Sequence, residues 1–183
     1  MDDYIERVMK AASARTGEPV FNGSIDHARV IATAMFKHAR QNIDILSTSL
    51  NARVYGPEQV IDEAKLFLAD KSHCLRILLE KSPDDASGKH PFFDEFKCHS
   101  NVHVRELAAH TSEILPFHMI VADQDCYRFE SDKKKVSAVA AWGNEETGSH
   151  LKNIFETLWK SAKPVKIYPC SDEEFCSSAE NQS

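Results

Sequence analysis

Leu151, Ile154, Phe155, Leu158 and Trp159 recur at i, i+3, i+4, i+7 and i+8, which predicts an amphipathic helix with Pro164 beyond its end. The same period appears twice earlier. Val30, Ile31, Ala34, Met35 and His38 form one stripe, with Ser24 or Asp26 as the capping residue. Val60, Ile61, Ala64, Phe67 and Leu68 form another, with Pro57 and Glu58 in the first turn. Between these helices the pattern changes to short β-branched and apolar runs: NIDILSTSLN, CLRILLE, NVHVREL and VSAVAAW. The stretch FHMIVADQDCYRFES reads as two strands folded over a turn near Asp123-Gln124-Asp125. FFDEFKCH reads as a short helix, AAHTSEILP as a connection, and KSPDDASGKHP as a loop by composition. Residues 1–20 are expected to be a short helix and a linker, loosely attached, and residues 169–183 an acidic, serine-rich tail without fixed structure.

This order predicts an α/β domain of the mixed α+β kind: one central mixed sheet flanked by helices. In such sheets sites gather where strands end and loops begin. Two places stand out, the STSLN segment after the first strand and the loop around His118.

Composition narrows the functions. The chain has 183 residues, enough for one domain with a good-sized core, and 42% hydrophobic and 27% charged residues, the profile of an ordinary globular protein. A net charge of -6 argues against a uniformly basic nucleic-acid surface, although Lys133, Lys134 and Lys135 make a local basic patch. The acidic start MDDYIERVMKAASARTGEPV is not a signal peptide, and no apolar run reaches membrane-spanning length, so a cytoplasmic location is expected. The five cysteines are odd in number and include no C-x-x-C, which fits reduced thiols. His99 and His103 have H-x3-H spacing next to Cys98, but that spacing shares a face only on a helix, and the segment reads as a turn and a strand. No metal and no cofactor are expected.

The chemistry concentrates in PFHMIVADQDCYRFESD, residues 116–132. His118 stands at the lip of a strand, where a histidine serves as nucleophile, general base or ligand, or as a half-buried residue bonded to a carboxylate. Arg128, Glu130 and Asp132 alternate onto one face; they read either as a phosphate-directed guanidinium with its neighbours or as an ion network on a solvated surface. Ser47, Ser49 and Asn51 end the first strand, as pocket residues or as ordinary caps, with Arg53 and Tyr55 nearby.

The stretch, together with the order of elements over residues 24–162, resembles the phospholipase D-like superfamily, whose signature is H-x-K-x4-D followed by a Gly-Ser-x-Asn segment. The resemblance implies a histidine that attacks phosphorus, a lysine and an asparagine that stabilise phosphoryl oxygens, and pairing of single-motif chains as dimers. His118 matches the histidine and Asp125 the aspartate. Ile120 stands where the lysine belongs, and ESDKKK where the Gly-Ser-x-Asn segment is expected. Asn144 is a stand-in for the asparagine and Arg128 for the lysine. A lost oxyanion-stabilising group costs on the order of 100- to 1000-fold in rate. The resemblance thus implies a phospholipase D-like domain over residues 21–168 with a degenerate site: a non-catalytic module, acting as a dimer, that binds a phosphate ligand or a protein partner. The alternative is a metal-independent phosphodiesterase or nuclease with His118 as nucleophile across a homodimer interface. The expected site residues are His118, Asp125 and Arg128 for chemistry and Ser47, Ser49, Asn51, Glu130 and Asn144 for ligand binding. Expected partners are a second copy of the chain, a nucleic acid or other phosphodiester, and a protein.

Overall fold

The computed structural model describes residues 1–81 and 90–165. Most of the loop expected at KSPDDASGKHP, and the expected tail at 169–183, lie outside the described residues. The rest forms an eight-stranded mixed sheet with helices on both faces.

The strands are β1 (Val20–Asn22), β2 (Asn42–Ser47), β3 (Cys74–Leu79), β4 (Val102–Glu106), β5 (His118–Ala122), β6 (Cys126–Glu130), β7 (Ala138–Trp142) and β8 (Lys163–Pro164), in the order β1-β7-β6-β5-β2-β3-β4-β8. β2, β3 and β4 run parallel, and every other pairing is antiparallel. The central parallel strands β2 and β3 are largely apolar because both their faces are covered, while β4 (VHVRE) exposes His103 and buries only Val104.

The helices are α1 (Asp2–Ala14), α2 (Ile25–His38), α3 (Ala52–Tyr55), α4 (Glu58–Ala69), α5 (Pro91–Phe96), α6 (Ala109–Ile114) and α7 (Glu145–Ser161). The expected stripes are the ones that pack. Ile31, Ala34 and Met35 of α2 and Val60, Ala64, Phe67 and Leu68 of α4 are buried in the larger core. Ser24 caps α2, its hydroxyl accepting from the His27 amide at 3.1 Å. On the other face α7 buries Leu151, Phe155 and Trp159 against Leu46, Met119, Val121 and Tyr127.

Under α7 lies a charged cluster. Asp44, 0% exposed in the middle of β2, accepts from Arg76 Nε of β3 at 2.7 Å and from Lys152 of α7. Arg76 also donates to Glu156, and its guanidinium lies 5.0 Å from the centre of the Phe155 ring. Burial alone would lower the arginine's pKa; the hydrogen bonds it donates to Asp44 and Glu156 override it and raise it.

Three regions differ from the sequence expectation. The N-terminal segment is not loosely attached: α1 buries Tyr4, Val8 and Ala12 in the larger core, and β1 pairs with β7, Val20 opposite Ala140. The STSLN segment runs into α3, a single turn, and AAHTSEILP contains the short α6. Short helices without an apolar stripe have little sequence signal.

Candidate functional site

A cleft of about 400 Å³ opens at one end of the sheet, where β2 ends, β5 begins and β6 ends. Antiparallel pairing of β5 with β6 sets His118 opposite Glu130 and Ile120 opposite Arg128. Alternation then turns all four side chains to the same face. All four line the cleft, with Ser47, Thr48, Ser49 and Asn51 from the end of β2 and Lys133, Lys134 and Lys135 from the β6–β7 turn.

The polar side chains form one chain of contacts. Asn22 of β1 donates to the Val136 carbonyl at 2.7 Å and accepts from Arg128 Nε at 3.1 Å. Arg128 donates to Glu130 Oε1 at 3.3 Å, and Glu130 Oε2 lies 3.1 Å from His118 Nδ1. The other ring nitrogen, Nε2, lies 3.0 Å from Thr48 Oγ1 and 3.5 Å from Glu80 Oε1. Glu80, just past β3, accepts from Thr48 at 3.2 Å and from Lys133 at 2.8 Å, and Lys133 also donates to the Ser112 carbonyl at 2.9 Å. Each carboxylate therefore has its own cation, Glu130 with Arg128 and Glu80 with Lys133. Lys134 makes no ion pair among the described residues, and Lys135 pairs with Asp132 at 3.2 Å on the exposed rim. The net surplus of cations suits the cleft to an anion.

The structure brings together six of the residues picked from sequence: His118, Arg128, Glu130, Ser47, Ser49 and Asn51 all line the cleft. Arg128 and Glu130 are 8% and 9% exposed, so their pairing is a buried network and not a solvated surface one. Ser47 and Asn51 also serve the backbone, Ser47 accepting from the Leu50 amide at 3.2 Å and Asn51 from Arg53 at 2.9 Å. Tyr55 lines the cleft, while Arg53 does not.

Two expected site residues lie elsewhere. Asp125 sits in the β5–β6 turn, at the opposite end of the hairpin from His118. Its carboxylate is bound by Arg15, which also donates to Asp123 at 2.7 Å and to the His38 carbonyl at 2.8 Å. Asp123, at φ 57, accepts in addition from the Gln41 amide at 2.9 Å, so the pair pins the N-terminal segment to the turn. Asn144 caps α7 beside that same turn, accepting from the Thr147 amide at 3.1 Å. The reason is geometric: seven positions along a hairpin carry the chain past its far end, away from the histidine. The residues missed from sequence are Asn22, Thr48 and Glu80. Each comes from a different strand end, and only the register of the sheet joins them.

The Arg15 lock has a pH signature. Burial would raise the Asp125 pKa, but the hydrogen bond and charge of Arg15 override it and hold the carboxyl below its ordinary range. A carboxyl depressed in the fold stabilises it at every pH above its unfolded value of about 4, and that contribution is lost as pH falls through the folded value. Urea midpoints measured through this acid range should fall less steeply for Asp125→Asn than for wild type; parallel curves would remove Asp125 from the acid response. Cys126 alongside is not a reactive thiol, since burial pushes its pKa up to about 12.

Among the described residues no helix is long and apolar enough to cross a membrane. A search of curated protein sequences gives no match. Among solved structures, Nuc from Salmonella typhimurium, a phospholipase D family member, is similar at 13% identity and a TM-score of 0.54, over 81% of this chain and 99% of that one. NucT from Helicobacter pylori is similar at 12% identity and a TM-score of 0.57, with the same coverage. TrmBL2, an archaeal chromatin protein with a novel mode of DNA binding, shares 13% identity and a TM-score of 0.57; the chain covers 60% of its length and 90% of its own. At these identities the likeness is one of fold. A family profile described as a domain of unknown function, DUF7931, matches residues 24–168. The chain thus belongs to the DUF7931 family, and it has the phospholipase D-like fold.

Proposed function

We propose that the chain is a phospholipase D-like module whose cleft binds a phosphate-bearing ligand without a metal, and in which His118 is not the atom donor that attacks phosphorus. The contact of His118 Nε2 with Thr48 Oγ1 at 3.0 Å carries this reading. The nitrogen that would have to approach phosphorus is already engaged by a hydroxyl, and Glu80 stands beside it. Two further observations support an anion site: Arg128 faces the cleft directly opposite Ile120, and three lysines form the rim. Among proteins with this fold is a chromatin protein that binds DNA, which supports a nucleic-acid phosphodiester as one ligand.

The test is calorimetric titration of the chain, in EDTA, with inorganic phosphate and with the dinucleotide thymidylyl-thymidine. Binding that weakens as salt rises, and that His118→Ala retains, is the expected result. No binding of either probe at low salt would overturn the reading.

A second reading has one observation in its favour. The cross-strand position of Arg128 next to Ile120 offers a guanidinium close to where the signature lysine would act. With it, His118 would serve as nucleophile of a metal-independent phosphodiesterase across a homodimer interface. That reading requires a phosphoryl adduct on His118.

A further inference from the structure

The cleft contains a hydroxyl, an imidazole and a carboxylate in series. Thr48 Oγ1 lies 3.0 Å from His118 Nε2, and His118 Nδ1 lies 3.1 Å from Glu130 Oε2. The three come from three strand ends: Thr48 follows β2, His118 opens β5 and Glu130 closes β6. All three line the cleft. Arg128 fixes the outer oxygen of Glu130 at 3.3 Å, so the carboxylate cannot swing away from the ring. A free hydroxyl is a poor nucleophile; a base at hydrogen-bond distance, itself oriented by a third group, makes it a competent one. The single hydroxyl proton of Thr48 has two acceptors within reach, Glu80 Oε2 and His118 Nε2, and rotation about the Cβ–Oγ1 bond passes it from the first to the second. Glu80 Oε2 lies 3.2 Å from the same hydroxyl, tied down by Lys133.

From this geometry we propose that Thr48 is the nucleophile of a covalent phosphoryl-transfer step, with His118 Nε2 as general base and Glu130 as positioning residue. The inference rests on the phosphate-site reading above, because phosphorus is the electrophile that the cations select. Thr48 Oγ1 forms a bond to the phosphorus of a phosphodiester, and its proton passes to His118 Nε2. The bond from phosphorus to one ester oxygen breaks. That oxygen, in line and opposite Oγ1, keeps the electron pair and leaves as the alcohol with a proton from solvent at the open mouth of the cleft, while Nε2 keeps the proton it took. Arg128 and Lys134 face the charge on the non-bridging oxygens. Water then attacks the phosphorus of the Thr48 ester from the side the alcohol left and gives a proton to solvent; the phosphorus–Oγ1 bond breaks, and Oγ1 keeps the electron pair and takes the proton back from His118 Nε2 as the hydroxyl.

The reporter is bis(p-nitrophenyl) phosphate, in EDTA, with wild-type protein. Its leaving group departs without needing a proton, so the first step is isolated. The expected result is a burst of one p-nitrophenolate per chain and an acid-stable p-nitrophenyl phosphoryl adduct on the peptide carrying Thr48. Thr48→Ser keeps the adduct and Thr48→Ala loses it. His118→Ala slows labelling on the order of 100-fold or more, and Glu130→Gln shifts the pH profile of labelling, which a purely structural role would leave in place. An acid-labile adduct on His118 would overturn the proposal. So would wild-type protein that takes no adduct. If that unlabelled protein still binds thymidylyl-thymidine, the nucleophile alone is lost; if it binds neither probe, the phosphate site falls with it.

Discussion

Alanine at position 44 lowers the free energy of unfolding by about 3–5 kcal/mol, the usual consequence of removing one partner from a buried ionic group. Asp44 is fully buried and is the shared acceptor of Arg76 and Lys152. Without it two cations remain between β2, β3 and α7, and Glu156, the other carboxylate in reach, is about one third exposed. Asn at the same position keeps the shape and loses the charge, so it falls between wild type and alanine. Guanidinium unfolding of the three proteins checks this. A loss from Asp44→Ala of only about 1 kcal/mol or less, the size of a surface pair, would show that water enters and replaces the carboxylate. The site itself lies on the other face of the sheet, so ligand binding by the folded fraction should be unchanged.

The second large effect falls on the cleft. Arg128→Met weakens binding of thymidylyl-thymidine by about 10- to 100-fold, the equivalent of one or two charge-assisted hydrogen bonds. The same change leaves Glu130 buried next to His118 without its cation, so part of the loss comes from a disturbed site. The double variant Arg128→Met with Glu130→Gln separates the two. It removes the stranded charge, regains stability and stays weak in binding. Arg128→Lys recovers part of the affinity, because an ammonium keeps the charge and loses the planar fork. An unchanged dissociation constant for Arg128→Met would mean that the lysine rim alone holds the ligand.

Much of this fold could be read from periodicity. The α7 stripe, the α2 and α4 faces and the β5–β6 hairpin are each set by neighbours close in sequence, and each is present in the structure. The attachment of residues 1–22 was not legible, because its partners Asp123, Asp125 and Ala140 are remote in sequence. The site divides in the same way. His118, Arg128 and Glu130 share one hairpin, so alternation alone places them together. Thr48 was passed over between Ser47 and Ser49, since nothing local distinguishes three small polar residues in a row. Glu80 ends an apolar strand and reads as an ordinary solvated terminus. Its meeting with Lys133 depends on β3 and the β6–β7 turn reaching the same end of the sheet. Asp125 was drawn into the site by motif spacing, although a turn between it and the histidine sends the two apart.

The Arg15 lock also constrains the order in which this chain acquires its structure. Arg15 and Asp125 are 110 positions apart, and Arg128 reaches Asn22 across 106. A segment that precedes its partners by more than a hundred residues is therefore among the last to find its place, waiting until the β5–β7 meander has emerged. Contacts of such long sequence separation slow the closing step of folding. Until then the edge of β7 that β1 will cover stays open, a strand edge available to other chains. That edge closes when β1 pairs with β7, and Arg15 on the two acidic residues of the turn holds the segment in place.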